Sequence, residues 1–125
     1  MNILVTGGAG FIGSSLCNAL VKEKVHNIVS LDNYSTGIEA NHIQQVNYIK
    51  GNTCDVSSLI KFIPDIVFHF GEFSRVEQSV MEPDKVWEAN IRGTYEIVKF
   101  CSHHGAKLIY AGSSTKFGDG GLGRS

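Results

Sequence analysis

Short runs of β-branched and apolar residues alternate along this chain with stretches whose apolar positions recur every three or four residues. The short runs are 2–6, 27–31, 46–50, 66–70 and 107–111. Several are nearly unbroken in apolar residues, as strands covered on both faces require. Between the first two, Ile12, Leu16, Ala19 and Leu20 mark one face of a helix. Val86, Asn90, Ile91, Ile97, Val98 and Cys101 mark a longer helix over about 84–103, entered after Pro83 and stopped by Gly105. Residues 57–63 read as a short helix ended near Pro64. This alternation predicts an α/β fold, a doubly wound parallel sheet of about five strands with right-handed crossovers.

Composition narrows the picture in three ways. The 125 residues, 42% of them apolar, suffice for one domain spanning 1–125, and fourteen glycines against two prolines point to tight turns. A formal charge of −1 gives no broad electrostatic case for nucleic acid or an anionic membrane, so any phosphate must be held by backbone amides. Cys17, Cys54 and Cys101 are odd in number and widely spaced, against a disulfide framework or a zinc site and for reduced thiols. The first residues lack the basic start and long apolar run of a signal peptide or membrane span. A soluble, cytoplasmic protein is the expectation.

The chemistry begins at Thr6-Gly7-Gly8-Ala9-Gly10-Phe11-Ile12-Gly13. Gly7 permits a tight turn, Gly10 lets the backbone approach a pyrophosphate, and Gly13 lets a helix pack close to a strand. The helix start then offers free amides and a positive dipole end. Glycines alone can mark a plain flexible turn. Here they follow a strand and open an amphipathic helix, the context of a Rossmann-type dinucleotide site, for which the strand order 3-2-1-4-5 is expected. Asp32, 19 residues beyond Gly13, is placed to accept both ribose hydroxyls of NAD and to repel the 2′-phosphate of NADP. Its rival role is a turn or cap aspartate. Asp55 either caps a helix beginning at Val56 or accepts from an adenine amino group, with Val56 against the ring. Ser113 follows the last strand, at the carboxyl edge where open α/β sheets bind ligands, although serines are common in turns.

Together with Leu31-Asp32-Asn33-Tyr34-Ser35-Thr36-Gly37, Val67-Phe68-His69-Phe70-Gly71, Asn90-Ile91-Arg92-Gly93-Thr94 and Phe117-Gly118-Asp119, these motifs resemble the extended short-chain dehydrogenases. Within them, the likeness is to NAD-dependent nucleotide-sugar epimerases and dehydratases, and it runs the length of the chain in motif order. The resemblance implies that Phe11 and Ile12 flank the pyrophosphate, that Asn33, Ser35, Thr36 and Gly37 support the adenosine end, and that Phe70 and Gly71 line the cofactor. It aligns Ser113 with the family's catalytic serine.

Two departures stand out. His69-Phe70-Gly71-Glu72 puts a carboxylate where the family has small residues, and His69 itself reads as a satisfied strand-end histidine. Family chemistry also needs a Tyr-x-x-x-Lys beyond the serine. Tyr95-Glu96-Ile97-Val98-Lys99 has that spacing but precedes Ser113, so it reads as a decoy with Tyr95 on the surface or packed and Lys99 solvated. The expectation is an NAD-binding portion of a nucleotide-sugar epimerase, inactive alone, whose base and sugar-binding region would follow Ser125. The alternatives are a 4,6-dehydratase or reductase of the same family, or a non-catalytic NAD-binding module completed by another chain. A nucleotide-sugar is the implied substrate of the complete enzyme, and a homo-oligomer is the expected assembly.

Overall fold

The structure is a computed structural model that describes residues 1–34, 37–70 and 91–110. Five parallel strands, β1 (Asn2–Thr6), β2 (Asn27–Asp32), β3 (Val46–Lys50), β4 (Ile66–His69) and β5 (Lys107–Tyr110), form one sheet in the order β3-β2-β1-β4-β5. This is the order expected of a Rossmann-type sheet. The first helix is α1 (Phe11–Val21), the second α2 (Val56–Leu59) and the third α3 (Gly93–His104).

Both faces of the sheet are covered, which explains the unbroken apolar runs. Successive side chains of a strand point to opposite faces. Leu4, Val29, Leu31 and Val67 therefore meet Val56 and Ile60 near α2, together with Ile97, Phe100 and Cys101 of α3. On the other face Ile3, Val5 and Ile28 pack with Cys17 of α1 and with Val46, and Leu16, Leu20, Phe68 and Phe70 lie against that cluster.

Two sequence readings need correction in detail. The inner face of α1 is not the one through Ile12 and Ala19: Ile12 is 63% exposed and Ala19 is exposed, while Gly13 and Cys17 are buried. Small residues, not the largest apolar ones, occupy the contact because the helix sits so close to the strands. The helix expected over 57–63 is the single α-turn of α2, preceded by a 3-10 turn at Thr53–Asp55. It ends because Ile60 turns to extended backbone (φ −97°, ψ 116°) and sinks into the core. Ile63, before Pro64, is also sterically disfavoured as helix. The third helix is described from Gly93, and the part expected over 84–90 lies outside the described residues. Gly105 does stop it, in the left-handed region at φ 69°.

Burial has a measurable consequence at Cys17. Desolvation pushes its thiol up to about 11, whereas an exposed thiol ionises near 8.5. The folded state thus disfavours the thiolate. Its contribution to stability is fully present below the unfolded pKa and is lost as pH rises through 9 towards 11. Urea midpoints at several pH values, compared with Cys17→Ala, check this: the advantage of the unmodified chain is expected to shrink steadily above pH 9. A difference that does not change with pH would contradict it. Among the described residues, no helix is long and apolar enough to cross a membrane.

Candidate functional site

The carboxyl ends of β1, β2 and β4 meet at one edge of the sheet, and the chain leaving β1 turns there into α1. Gly7 adopts φ 77°, a left-handed conformation natural only to glycine. Its N–H donates to the Leu31 carbonyl at 2.8 Å, and its carbonyl accepts the Gly10 N–H at 3.1 Å, which closes the turn. At Gly13 a Cβ would stand 2.1 Å from the Gly7 carbonyl oxygen, with the Gly7 and Gly8 backbones also inside contact distance. The turn and the first turn of α1 are therefore in mutual backbone contact.

The helix begins without a cap. Gly10 stands at the N-cap position and makes no side-chain cap bond, and no acidic residue occupies the first turn. The first intrahelical bond is Ser14 N–H to the Gly10 carbonyl at 2.9 Å. The amides of Phe11, Ile12 and Gly13 thus lie ahead of the helical ladder, at its positive end. Phe11 is 86% exposed and Ile12 63%, so the head of the helix lies at the surface beside apolar side chains, with Gly13 buried behind them. A pyrophosphate suits this donor set, and the missing Cβ atoms are what let it come close.

Asp32 ends β2 beside this turn and is only 8% exposed. Its Oδ2 accepts the Ala9 N–H at 2.9 Å and its Oδ1 accepts the Tyr34 N–H at 2.8 Å. A carboxylate has about four acceptor positions, so two remain for hydroxyls of a ligand. Asp32 thus fills the turn-aspartate role and keeps acceptor positions to spare. Gly37 packs against the pair: a Cβ there would lie 2.7 Å from Asp32 Oδ2 and 3.0 Å from Ala9. Asn33 reaches the neighbouring strand end, where its Nδ2 donates to Asn52 Oδ1 at 2.9 Å.

The other expected residues are placed unevenly. Asp55 is exposed at the N-cap position of α2 but makes no capping hydrogen bond, which leaves its carboxylate facing solvent. Val56, expected to lie against a ring, has no exposed surface and belongs to the core. Phe70 is half-buried over the α1 side, with its N–H on the Thr6 carbonyl at 3.0 Å. Ser35, Thr36, Gly71 and Ser113 lie outside the described residues. His69 is fully buried, with Nδ1 2.6 Å from Thr6 Oγ1 and Nε2 3.0 Å from Thr94 Oγ1, a strand-end histidine satisfied on both nitrogens. Tyr95 is 62% exposed and Lys99 is exposed on α3.

Several residues escape sequence reading. Gly8 is also constrained, since a Cβ there would meet the Ser30 Oγ at 2.2 Å and its Cβ at 2.7 Å. Ala9 makes three bonds: beyond its bond to Asp32, its carbonyl accepts Asn41 Nδ2 at 2.7 Å and the Ile38 N–H at 3.2 Å. The paired glycines at 7 and 8 were a usable signal for the first. Nothing in residues 38–42 announces the second.

The sequence pattern of the NAD dependent epimerase/dehydratase family matches residues 3–124 of this chain. The UDP-glucose 4-epimerase of Streptomyces lividans is 33% identical over 122 residues, which cover 93% of this chain and 37% of that protein. Among solved structures, the chain is similar to UDP-glucose 4-epimerase from Thermotoga maritima with UDP-glucose, with a TM-score of 0.78 and 32% identity over 88% of this chain and 37% of that one. It is also similar to the Thermus thermophilus UDP-glucose 4-epimerase complex with NAD, with a TM-score of 0.75 and 31% identity over 86% of this chain and 36% of that one. The chain thus spans little more than a third of the length of these relatives.

Proposed function

Because this chain belongs to the NAD dependent epimerase/dehydratase family, we propose that it is the NAD-binding portion of a nucleotide-sugar epimerase. The observation that carries the reading is the cradle at the head of α1. Gly13 lies against the Gly7 backbone, the helix amides are uncapped, and Asp32 closes one side with two acceptor positions to spare. Uncapped amides for a pyrophosphate and a carboxylate for ribose hydroxyls are the donor and acceptor set that a dinucleotide needs.

The amides after Gly10 hold the pyrophosphate between the exposed side chains of Phe11 and Ile12. Asp32 takes the two hydroxyls of the adenosine ribose, Asn33, Ser35, Thr36 and Gly37 bracket that end, and Asp55 accepts from the adenine amino group. By the family resemblance, Phe70 and Gly71 would line the cofactor and Ser113 would hydrogen-bond the reacting oxygen. When bound, NAD supplies the acceptor and donor of hydride at a sugar carbon. A proton must leave the sugar hydroxyl at the same time. Tyr95 and Lys99 stand exposed on α3 and are not assigned that work. The 125-residue chain alone is therefore proposed not to turn over nucleotide-sugars, its base and sugar-binding region being supplied from elsewhere. The same cradle serves a dehydratase of the family equally well.

Titration calorimetry of the chain with NAD and with NADP tests the reading. NAD is expected to bind at least about tenfold more tightly, because the 2′-phosphate would meet the Asp32 carboxylate in a poorly solvated place. Equal affinities would remove Asp32 from the ribose.

A further inference from the structure

We infer that His42 is a positioning residue for the adenosine end of the site, acting through a clasp it forms with Tyr34 and Tyr48; this rests on the NAD reading above. Tyr48 stands in β3, and its hydroxyl accepts the Ile43 N–H at 2.8 Å. The His42 ring lies flat on the Tyr48 ring, centroids 3.7 Å apart and planes within 6°. On its other side His42 Nε2 is 2.6 Å from the Tyr34 hydroxyl. With the ring proton on Nδ1, the tyrosine O–H donates to Nε2.

Tyr34 has reason to need holding. Its backbone is left-handed at φ 63°, a conformation bulky residues seldom adopt unless their surroundings impose it. In that conformation its N–H reaches Asp32 Oδ1 at 2.8 Å. Contacts thus run unbroken from β3 through His42 and Tyr34 to the carboxylate. Asp32 in turn holds Ala9 in the glycine turn. The segment that carries His42 is pinned a second time, by the Asn41 amide on the Ala9 carbonyl at 2.7 Å. Burial, then the Asp32 charge, push the Tyr34 phenol up, so it remains a donor across the neutral range.

The clasp thereby fixes the rotation of the Asp32 carboxylate. Released, Tyr34 can leave the left-handed region and withdraw its N–H, and Oδ1 loses its fixed direction. A carboxylate free to rotate matches two neighbouring hydroxyls less well and repels a 2′-phosphate less strongly. The signature is a loss of affinity for NAD without an equal loss for NADP.

Calorimetry on the 125-residue chain with both nucleotides tests this in Tyr34→Phe, His42→Phe and the double variant. His42 is exposed, and phenylalanine keeps the stack on Tyr48 while removing the acceptor. Each single substitution is expected to weaken NAD about 5–10-fold, NADP less, and the double variant no more than either single. Thermal midpoints should stay near that of the unmodified chain. Unchanged NAD binding in His42→Phe, equal losses for the two nucleotides, or additive losses in the double variant would each overturn the inference. An unmodified chain that binds neither nucleotide would overturn the cofactor reading, and the inference with it.

Discussion

Gly13→Ala is expected to abolish measurable NAD binding and to lower the thermal midpoint substantially. The added methyl would stand 2.1 Å from the Gly7 carbonyl oxygen, 2.8 Å from its carbon and 2.9 Å from Gly8 Cα. All three are backbone atoms, so no rotamer change relieves the clash. Either α1 lifts from the sheet, which uncovers Cys17 and its cluster, or the turn moves and the Gly7 N–H leaves the Leu31 carbonyl. Overpacking a well-filled site costs about 1–3 kcal/mol, and more against backbone. At about 1.4 kcal/mol per factor of ten, affinity should fall about 100-fold or more. Gly10→Ala is the matched control, because its Cβ would lie an ordinary 3.4 Å from the Gly7 carbonyl oxygen. It should melt like the parent while still binding NAD weakly, since the methyl then stands where the pyrophosphate approaches. Calorimetry and thermal melts on the pair decide the matter. A Gly13→Ala protein that binds NAD normally would mean that the close approach of turn and helix does not hold in solution.

Asp32→Ala should show the second largest effect, and it acts on stability and selectivity together. The substitution leaves the Ala9 and Tyr34 amides without their acceptor in a place where Asp32 was 8% exposed. An unsatisfied buried donor costs about 1–3 kcal/mol, so the buried Ala9 bond sets a loss of that size in denaturant unfolding, to which the part-buried Tyr34 bond adds less. The ribose hydroxyls lose their acceptor at the same time, and NAD affinity should drop about 100-fold at this doubly engaged carboxylate. NADP should be affected far less, because its 2′-phosphate no longer meets a negative charge. The preference between the cofactors is therefore expected to vanish or reverse. If stability falls while the NAD to NADP ratio stays at its original value, Asp32 is a turn aspartate and nothing more.

The strands and the glycine turn were legible in the sequence because each is governed by short-range rules. A continuous apolar run such as Ile3-Leu4-Val5 can only be a strand covered on both faces or a buried helix, and its length and the glycines after it decide between them. Left-handed Gly7, the stop at Gly105 and the acidic end of β2 follow from the conformations or charges those residues allow. The α1 face was harder. Periodicity favours large apolar residues, but Gly13 and Cys17 win the contact because the helix and strand approach too closely for anything bigger. Ile12 is displaced to the surface by the same geometry.

Sequence by itself determined the order of elements, the five-strand parallel sheet, and the pairing of a glycine turn with an acidic strand end. Each strand and the glycine turn is written within a few neighbouring residues, and Gly7 and Asp32 lie within one strand–helix–strand unit. Only the tertiary structure decided that Val56 is core, that Gly8 faces Ser30, and that Ala9 ties Asp32 to Asn41. It alone brings His42 onto Tyr48 and Tyr34, and seats His69 between Thr6 and Thr94. The physical reason is separation along the chain. Thr6 and His69 are 63 residues apart and Ala9 and Asn41 are 32 apart, so their contacts exist only after β4 and the 38–42 turn come to lie beside β1 and the glycine turn.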